Sequence, residues 1–251
     1  VIVQGHNQVV PCRADAARSA SRGGRPAVRL PALEWLLARA RRTERAVSWR
    51  QWLLEPCQLG EDVLLRLPAG PCAHVAMHGV LPSGTWACAR PVHLLTGLDH
   101  LQLSPARLEL EATDAAILLA GINRHLDGMG YRFHGGRDGD WLLECDRELA
   151  CTTVEPAEAA GRNLRELMPG GPDGARVRSL MNELQMLLHE HPVNQQRERL
   201  GMPVVNSLWL WGFGAALPPA PVSLPPLYTD DPWLEGMWLA HGAAARPLAE
   251  F

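Results

Sequence analysis

At 251 residues, with 47% hydrophobic and 20% charged residues, the chain can bury a sizeable core and falls outside the composition range of disordered proteins. A net charge of −3 gives no electrostatic reason to expect binding to nucleic acid or to an anionic membrane. The chain contains no lysine, which excludes Schiff-base lysine chemistry and the lysine of a P-loop. Its 24 basic residues are all arginines, which can recognise carboxylate or phosphate with two hydrogen bonds.

The six cysteines are scattered and form no C-x2-C pair of the kind that binds zinc or performs thioredoxin-like chemistry. We therefore expect free thiols in a reducing compartment. Charged residues interrupt the first 25 positions, and no apolar run reaches the length of a membrane span. These features predict a cytoplasmic protein. The cysteines are Cys12, Cys57, Cys72, Cys88, Cys145 and Cys151.

The N-terminal part of the chain predicts helices after an uncertain start. Residues 1–30 combine a short apolar opening with a polar, glycine-containing run and predict no definite structure. From Leu30 the phrase LPALEWLLARARR has apolar residues at helical spacing, and a second short helix is predicted at Ser48–Leu54. We expect residues 31–251 to form a single body.

The middle of the chain predicts two hairpins separated by a helix. Strands are expected at Trp86–Leu94 and Leu101–Leu103 around a turn near Gly97. A helix follows at Thr113–Leu126 with Thr113 as its N-cap. The second hairpin joins Tyr131–His134 to Trp141–Cys145 through a glycine-rich turn.

The C-terminal part contains the clearest helical periodicity. Apolar residues recur at helical spacing from Val177 to Leu188, and this helix must end near His191-Pro192 because the residue before a proline avoids helical geometry. A short helix at Gln195–Leu200 and an apolar strand at Val204–Trp211 follow; the strand is predicted to lie centrally in the sheet.

Beyond this strand, Pro218–Pro226 should be extended, and a brief strand at Leu227–Tyr228 precedes a terminal helix from Asp231 or Pro232 to about Ala240. The predicted fold class is therefore α/β or α+β, with a mixed sheet covered by helices.

The region from Gly161 onward contains HPVN, then R-x-x-x-G, then P-V-V-N-x-x-W-x-W-G-x-G, after a long helix. This order of motifs resembles a segment of archaeal-type, cofactor-independent phosphoglycerate mutases. The resemblance implies a fold related to part of the alkaline phosphatase and phosphoglycerate mutase scaffold. The matching residues are His191, Pro192, Asn194, Arg197, Gly201, Pro203, Asn206, Trp209, Trp211, Gly212 and Gly214.

The whole chain also resembles a bacterial family labelled phosphoglycerate mutase-like or RpfE-type regulatory protein. The helix LPALEWLLARA and the ending TDDPWLEGMWLAHG both suit that family. The label itself implies regulation without giving a mechanism.

Mutases of this class resemble alkaline phosphatase in needing two divalent metals and a serine or threonine nucleophile. Their N-terminal part contains an Asp-Gly-x-Gly-Asp metal-binding motif after the first strand. This sequence begins VIVQGHNQVV and has no Asp or Glu in its first 13 residues. Asp127-Gly128-Met129-Gly130 resembles the motif superficially, but it lies between a helix and a strand, where Asp-Gly is ordinary turn chemistry. We therefore expect no catalytic residue and no metal site, and we expect no cofactor.

Two pairs of histidines are candidate metal ligands, and each is weighed against a structural interpretation. His189 and His191 cannot face one way on a helix, so the interpretation of helix termination is preferred. His74 and His78 could share a helix face, but the nearby Pro71, Gly79 and Pro82 make that helix doubtful.

His191, Asn194, Arg197, Asn206, Trp209 and Trp211 are the candidate ligand-binding residues. Arg197 can hold a carboxylate or phosphate, and a buried Asn206 must find hydrogen-bond partners. The alternative is structural: the polar residues tie the HPVN loop to the strand, and the tryptophans pack in the core.

The sequence thus predicts a non-catalytic regulatory or binding protein, a pseudoenzyme on a mutase scaffold, that senses a phosphorylated or carboxylated metabolite or docks on a protein partner. The alternative is an isomerase that interconverts 2- and 3-phosphoglycerate with Mn²⁺ or Mg²⁺. Its ligands would come from Asp62, His93, Asp99, Asp230 and Asp231. A purely structural partner protein is the third hypothesis.

Overall fold

The computed structural model describes residues 31–39, 68–97, 101–104, 107–159, 162–215, 217 and 224–250. The chain divides into two compact units, Val1–Gln58 and Leu59–Phe251. In the first unit, helix α1 (Pro31–Arg39) agrees with the helix predicted from Leu30. The side chain of Arg39 lies over the Trp35 ring, 4.3 Å from its centroid. The predicted segment 1–30 and the predicted helix Ser48–Leu54 lie outside the described residues.

The second unit alternates helices with short strands. In chain order its elements are α2 (Ala69–His78), β1 (Thr85–Val92), β2 (Leu94–Thr96), β3 (Leu101–Leu103), α3 (Ala112–His125), β4 (Tyr131–Gly135), β5 (Trp141–Cys145), α4 (Pro156–Ala159), α5 (Gly174–His189), α6 (Pro192–Arg199), β6 (Ser207–Gly214), β7 (Leu227–Tyr228), α7 (Pro232–Ala240) and β8 (Ala245–Arg246), with 3-10 turns at Leu164–Glu166 and Leu248–Glu250. This content of helices and strands confirms the predicted fold class, in its α+β form.

The main described sheet has the strand order β4-β5-β1-β6 and is antiparallel throughout. Parallel pairing occurs in the short β7–β8 pair. The predicted central position of the apolar strand is wrong, because β6 lies at the end of this sheet order. Its burial comes from helices α2 and α5, which both pack against it.

The predicted hairpin of Tyr131–His134 with Trp141–Cys145 is confirmed, because β4 pairs with β5. The predicted hairpin of Trp86–Leu94 with Leu101–Leu103 is wrong in its first strand: β3 pairs with the short strand β2, while β1 pairs with β5 and β6. The β4–β5 turn places Asp138 and Gly139 in the left-handed region, with φ of 53° and 74°, and the amide of Asp140 donates to the carbonyl of Arg137 at 3.0 Å. Two successive positive φ angles are the signature of a type I′ turn, for which Asp-Gly is a preferred pair.

Helix α2 packs at very short range against its neighbours. A Cβ added at Gly70 would overlap the backbone of Ala87 in β1, and one added at Gly236 in α7 would overlap the carbonyl of Cys72. Gly212 has φ of 66° at a register shift between β1 and β6, as in a bulge that begins with a left-handed glycine. Glycine at these positions allows α2 to lie tightly between the sheet and α7.

Helix boundaries show where local signals mislead. α3 begins at Ala112, and its N-cap Glu111 makes no side-chain capping bond, so the predicted Thr113 cap is wrong. α6 begins at Pro192 and not at Gln195, since His191 caps it and proline suits the first turn. α7 begins at Pro232, as the sequence predicted, and Asp231 caps it by accepting hydrogen bonds from the amides of Trp233 and Leu234.

The doubt about a helix containing His74 and His78 was also wrong, because α2 forms. Pro71 lies in its first turn, where a missing N–H costs little, and Gly79 ends it in the left-handed conformation. Among the described helices, none has the length and apolar character needed to cross a bilayer.

Candidate functional site

His191 occupies the junction between α5 and α6. Its side chain is 8% exposed, and Nδ1 accepts a hydrogen bond from the amide of Val193 at 3.3 Å. α3 approaches so closely that a Cβ at Gly121 would lie 2.8 Å from its Nε2. Burial lowers the pKa of His191, which favours the neutral ring that can accept this bond. The predicted helix termination at this point is confirmed.

Asn194 fastens the end of α5 to the segment that enters β6. Its Nδ2 donates to the carbonyls of Leu188 and Val205, at 2.7 Å each, and its Oδ1 accepts from the amide of Val205 at 2.8 Å. The side chain is 4% exposed. These three bonds use most of the hydrogen-bonding capacity of the amide.

Arg197 is buried, with 3% exposure, and two of its nitrogens bond to backbone carbonyls. Nε donates to Pro203 and Nη2 donates to Glu109, each at 2.9 Å. Nη1 has no hydrogen-bond partner among the described residues and lies 3.7 Å from Oδ2 of Asp114. The guanidinium therefore has one uncommitted nitrogen, next to a carboxylate.

Asn206 and the two tryptophans complete the predicted set. Oδ1 of Asn206 accepts from the amide of Leu94 at 2.7 Å, and its Nδ2 donates to the carbonyl of Leu94 at 2.9 Å. Trp209 is 1% exposed and donates from Nε1 to the carbonyl of Val154 at 2.8 Å. Trp211 is 7% exposed.

The six candidate residues thus lie on α6, on β6 and on the loop between them, which we call the HPVN–β6 region (residues 191–214). Their described hydrogen bonds are directed mainly at backbone groups, as the structural interpretation requires. Nη1 of Arg197 is buried and has no hydrogen-bond partner among the described residues. Their role in ligand binding stays a prediction.

The candidate ligands of the isomerase alternative do not come together in the described residues. His93 donates from Nδ1 to the carbonyl of Val204 at 2.8 Å, Asp231 caps α7, and Asp230 accepts from the amide of Leu248 at 3.1 Å. Asp62 and Asp99 lie outside the described residues. No group of three His, Cys, Asp or Glu side chains in the described part of the chain is arranged to hold a metal ion.

The predicted turn at Asp127-Gly128 is confirmed, and Gly128 has φ of 75°. The turn borders a cavity of about 340 Å³ whose lining includes Asp127, Glu144 and Asp146. Asp146 accepts a hydrogen bond from Nε of Arg147 at 2.8 Å. Sequence reasoning missed this acidic cavity because its two sides, the α3–β4 turn and the end of β5, are apart in the chain.

An ionic cluster that the sequence did not reveal joins β1 to the β4–β5 turn. Arg90 donates from Nε and Nη2 to the two carboxylate oxygens of Asp140, at 2.5 and 2.6 Å. Arg107 lies 3.4 Å from the same carboxylate, and Arg137 pairs with Glu235 of α7. Burial alone would lower the pKa of Arg90, but the hydrogen bonds and charge of Asp140 outweigh it and raise the pKa. No local motif signals a pair that is 50 residues apart.

A set of rings in contact forms a second feature that sequence reasoning missed; we call it the histidine face, comprising His74, His78, Trp86 and His134. The ring centroid of His74 lies 4.4 Å from that of His78 and 4.4 Å from that of Trp86. On the other side Trp86 stacks on His134 at 5.1 Å. Nε2 of His134 lies 2.9 Å from Oε2 of Glu144.

The expectation of free thiols is supported where the structure describes them. Cys145 and Cys151 are free. Burial raises the pKa of Cys145 to about 12 and that of Cys151 to about 11, so both stay protonated and weakly nucleophilic near neutral pH. Cys72 and Cys88 are buried, and Cys12 and Cys57 lie outside the described residues.

Comparison with known proteins connects part of this chain to one enzyme class, although no protein-family model matches it. A probable 2,3-bisphosphoglycerate-independent phosphoglycerate mutase of Geobacter sulfurreducens is 38% identical over 89 residues, which are 36% of this chain and 21% of that protein. Such a mutase from Methanothrix thermoacetophila is 36% identical over 75 residues, 30% of this chain and 19% of the enzyme. The corresponding Methanosarcina barkeri enzyme is 29% identical over 109 residues, 43% of this chain and 27% of the enzyme.

The similarity therefore spans about a quarter or less of the length of these relatives. Among solved structures, the cofactor-independent phosphoglycerate mutase of Thermoplasma acidophilum aligns with a TM-score of 0.45 and 18% identity, over 80% of this chain and 57% of that one. A protein of Pyrococcus horikoshii aligns with a TM-score of 0.49 and 15% identity, over 81% and 48% of the two chains. Part of this chain is thus similar in sequence to cofactor-independent phosphoglycerate mutases.

Proposed function

We propose that this chain is a non-catalytic binding protein built on part of a cofactor-independent phosphoglycerate mutase scaffold. One observation carries the proposal: the polar motif residues that resemble the mutases lie in the interior and bond to the backbone. Asn194 alone makes three such bonds and Asn206 makes two. Residues used in this way account for a shared fold without requiring shared chemistry.

The ligand that best suits the HPVN–β6 region is a small phosphorylated or carboxylated metabolite. Nη1 of Arg197 is a buried guanidinium nitrogen without a hydrogen-bond partner among the described residues, and a buried charged donor gains most from an anionic acceptor. The Asp114 carboxylate, 3.7 Å away and 28% exposed, competes for this position. A ligand oxygen would bind by taking its place.

The isomerase alternative has one observation in its favour, the identity of 28% to 38% to phosphoglycerate mutases. It requires a site for two divalent metals, assembled from residues such as Asp230 and others outside the described ranges. A protein that only serves as a structural partner is the third hypothesis, and it requires neither turnover nor metabolite binding.

The test combines a mutase assay with calorimetry on the full chain. We expect no turnover of 3-phosphoglycerate with Mn²⁺ or Mg²⁺ over the metal-free control, and saturable binding of 3-phosphoglycerate. Asp114→Asn should tighten this binding because it removes the competing charge. Arg197→Met should abolish the binding, while Arg199→Met, at an exposed position on the same helix, should leave it unchanged.

The outcomes separate the three hypotheses. Metal-dependent turnover that is lost in Asp230→Ala would establish the isomerase. A protein with neither turnover nor 3-phosphoglycerate binding, but with a stable complex on pull-down, would be a structural partner. If Arg197→Met fails to fold, the opposite and favourable effect of Asp114→Asn still decides whether Arg197 receives the anion.

A further inference from the structure

Helix α2 presents two histidines side by side at its C-terminal end. His74 and His78 are four residues apart, which places them on the same face of a helix. The helix continues to His78 and ends there, because Gly79 in the left-handed conformation donates its amide to the carbonyl of Val75 at 2.8 Å. The two ring centroids are 4.4 Å apart, with the planes inclined at 45°.

The tautomer of His74 follows from its hydrogen bond. Nδ1 lies 3.1 Å from the carbonyl oxygen of Val80, and a carbonyl only accepts, so Nδ1 carries the proton and donates. The lone pair of the neutral ring is then on Nε2. Among the described residues no hydrogen bond uses His74 Nε2 or either ring nitrogen of His78. A histidine whose other nitrogen donates to a backbone carbonyl has the usual environment of a metal ligand.

The surroundings also hold His74 in a fixed orientation. The Trp86 ring packs against it, with centroids 4.4 Å apart and planes at 60°. Trp86 also stacks on His134, and Nε2 of His134 already lies 2.9 Å from Oε2 of Glu144.

We propose that His74 and His78 form a two-histidine chelate for a borderline divalent transition metal ion of the Zn²⁺ class, bound through their ring nitrogens with water in the remaining positions. Imidazole suits Zn²⁺, Ni²⁺ and Cu²⁺, whereas Mg²⁺ and Mn²⁺ prefer oxygen ligands. The site is separate from Arg197 and Asp114, so it goes beyond the proposed function and does not depend on it.

The decisive measurement is calorimetric titration of the full chain with Zn²⁺ alone at about pH 7.5, where histidine is mostly neutral. We expect saturable binding that weakens about tenfold or more in His78→Ala, since loss of a ligand should cost at least as much as loss of a supporting group. His74→Gln should have the same effect. His134→Gln is the matched control: it changes a histidine of the same face that is not a ligand and should leave the affinity unchanged.

Fluorescence supplies an independent readout of position. Cu²⁺ bound between His74 and His78 would quench Trp86, and the quenching should shrink in Trp86→Phe and disappear in His78→Ala. Wild-type protein without saturable Zn²⁺ binding, or His78→Ala with wild-type affinity, would overturn the proposal. Because His78 is exposed at the end of the helix, its substitution leaves the fold intact even if His74→Gln does not.

Discussion

The HPVN–β6 region and the histidine face differ in how their polar atoms are used. In the first, the side-chain amides of Asn194 and Asn206 donate from nitrogen and accept at oxygen, in each case with a backbone group as partner. In the second, His74 commits one nitrogen to Val80 and leaves the other with a lone pair. The region that resembles known enzymes is thus chiefly framework, with Nη1 of Arg197 left without a hydrogen-bond partner among the described residues, while the histidine face has imidazole nitrogens that no described hydrogen bond uses. Similarity in sequence and capacity to bind need not lie in the same place.

The largest expected effect is on the framework. Asn194→Ala leaves the carbonyl and the amide of Val205 buried without this partner, and each such group costs roughly 1 to 3 kcal/mol, whereas the carbonyl of Leu188 still accepts from the amide of His191. We expect the free energy of unfolding to fall by about 2 to 5 kcal/mol in urea denaturation. Gln195→Ala, at an exposed neighbouring position, is the control and should change little. A small loss in Asn194→Ala would show that the framework interpretation is wrong.

The next effect connects the histidine face to the core. Gly236→Ala places a methyl group against the carbonyl of Cys72, so α2 or α7 must shift. Overpacking of this kind typically costs about 1 to 3 kcal/mol. We expect that loss in chemical denaturation, together with weaker Zn²⁺ binding because α2 carries both histidines. Gly242→Ala is a useful comparison. An added methyl group there meets no neighbouring atom, so any loss of stability comes only from the positive φ of 70° at that residue.

A smaller effect tests whether Asp231 is a cap or a metal ligand. Asp231→Ala removes the acceptor for the amides of Trp233 and Leu234 and should cost about 1 kcal/mol, the usual value of an N-cap. Thermal denaturation should show this loss equally with and without Mn²⁺. A stability difference that appears only when Mn²⁺ is present would favour the isomerase alternative. Asp230→Ala, at an exposed position, should be nearly neutral.

The smallest effect is a dependence on pH. The pKa of His191 is lowered from its ordinary 6.5 by burial, so the folded protein binds fewer protons than the unfolded chain below about that pH. Stability should therefore fall as the pH falls from about 6.5 through the lower, folded pKa, and protonation also removes the acceptor for Val193. His191→Asn keeps a capping acceptor and cannot titrate, so its urea midpoint should vary less over this range. An unchanged pH profile in this variant would assign the effect to other groups.

Sequence reasoning succeeded where the signal is local. Periodicity located α5 and the β4–β5 hairpin, and proline-glycine chemistry located the end of α5. It failed on the position of β6, because a strand buried by helices has the same composition as one buried between strands. It also undervalued α2, since Pro71 and Gly79 were considered as helix breakers although each occupies a terminus where it fits.

The candidate site shows the same division. The motif correctly brought Asn194 and Arg197 together with the segment before β6, because these residues are close in the chain. The Arg90–Asp140 pair and the stacking of Trp86 on His134 depend on strand pairing across some 50 residues. Such contacts follow from the sheet register, which the sequence pattern alone does not specify.

The Asp138-Gly139 turn has a consequence for the order in which the molecule folds. A type I′ turn fixes the β4–β5 register from neighbouring residues, whereas β1 must find β6 across more than a hundred positions, as Cys88 opposite Trp211 illustrates. Local pairing closes a short loop and is expected to form early, while distant pairing is slow. Substituting Gly139 should therefore slow refolding, and truncating Trp209 should mainly speed unfolding. The hairpin would then be the first part of the sheet to form, and β6 the last strand to join it.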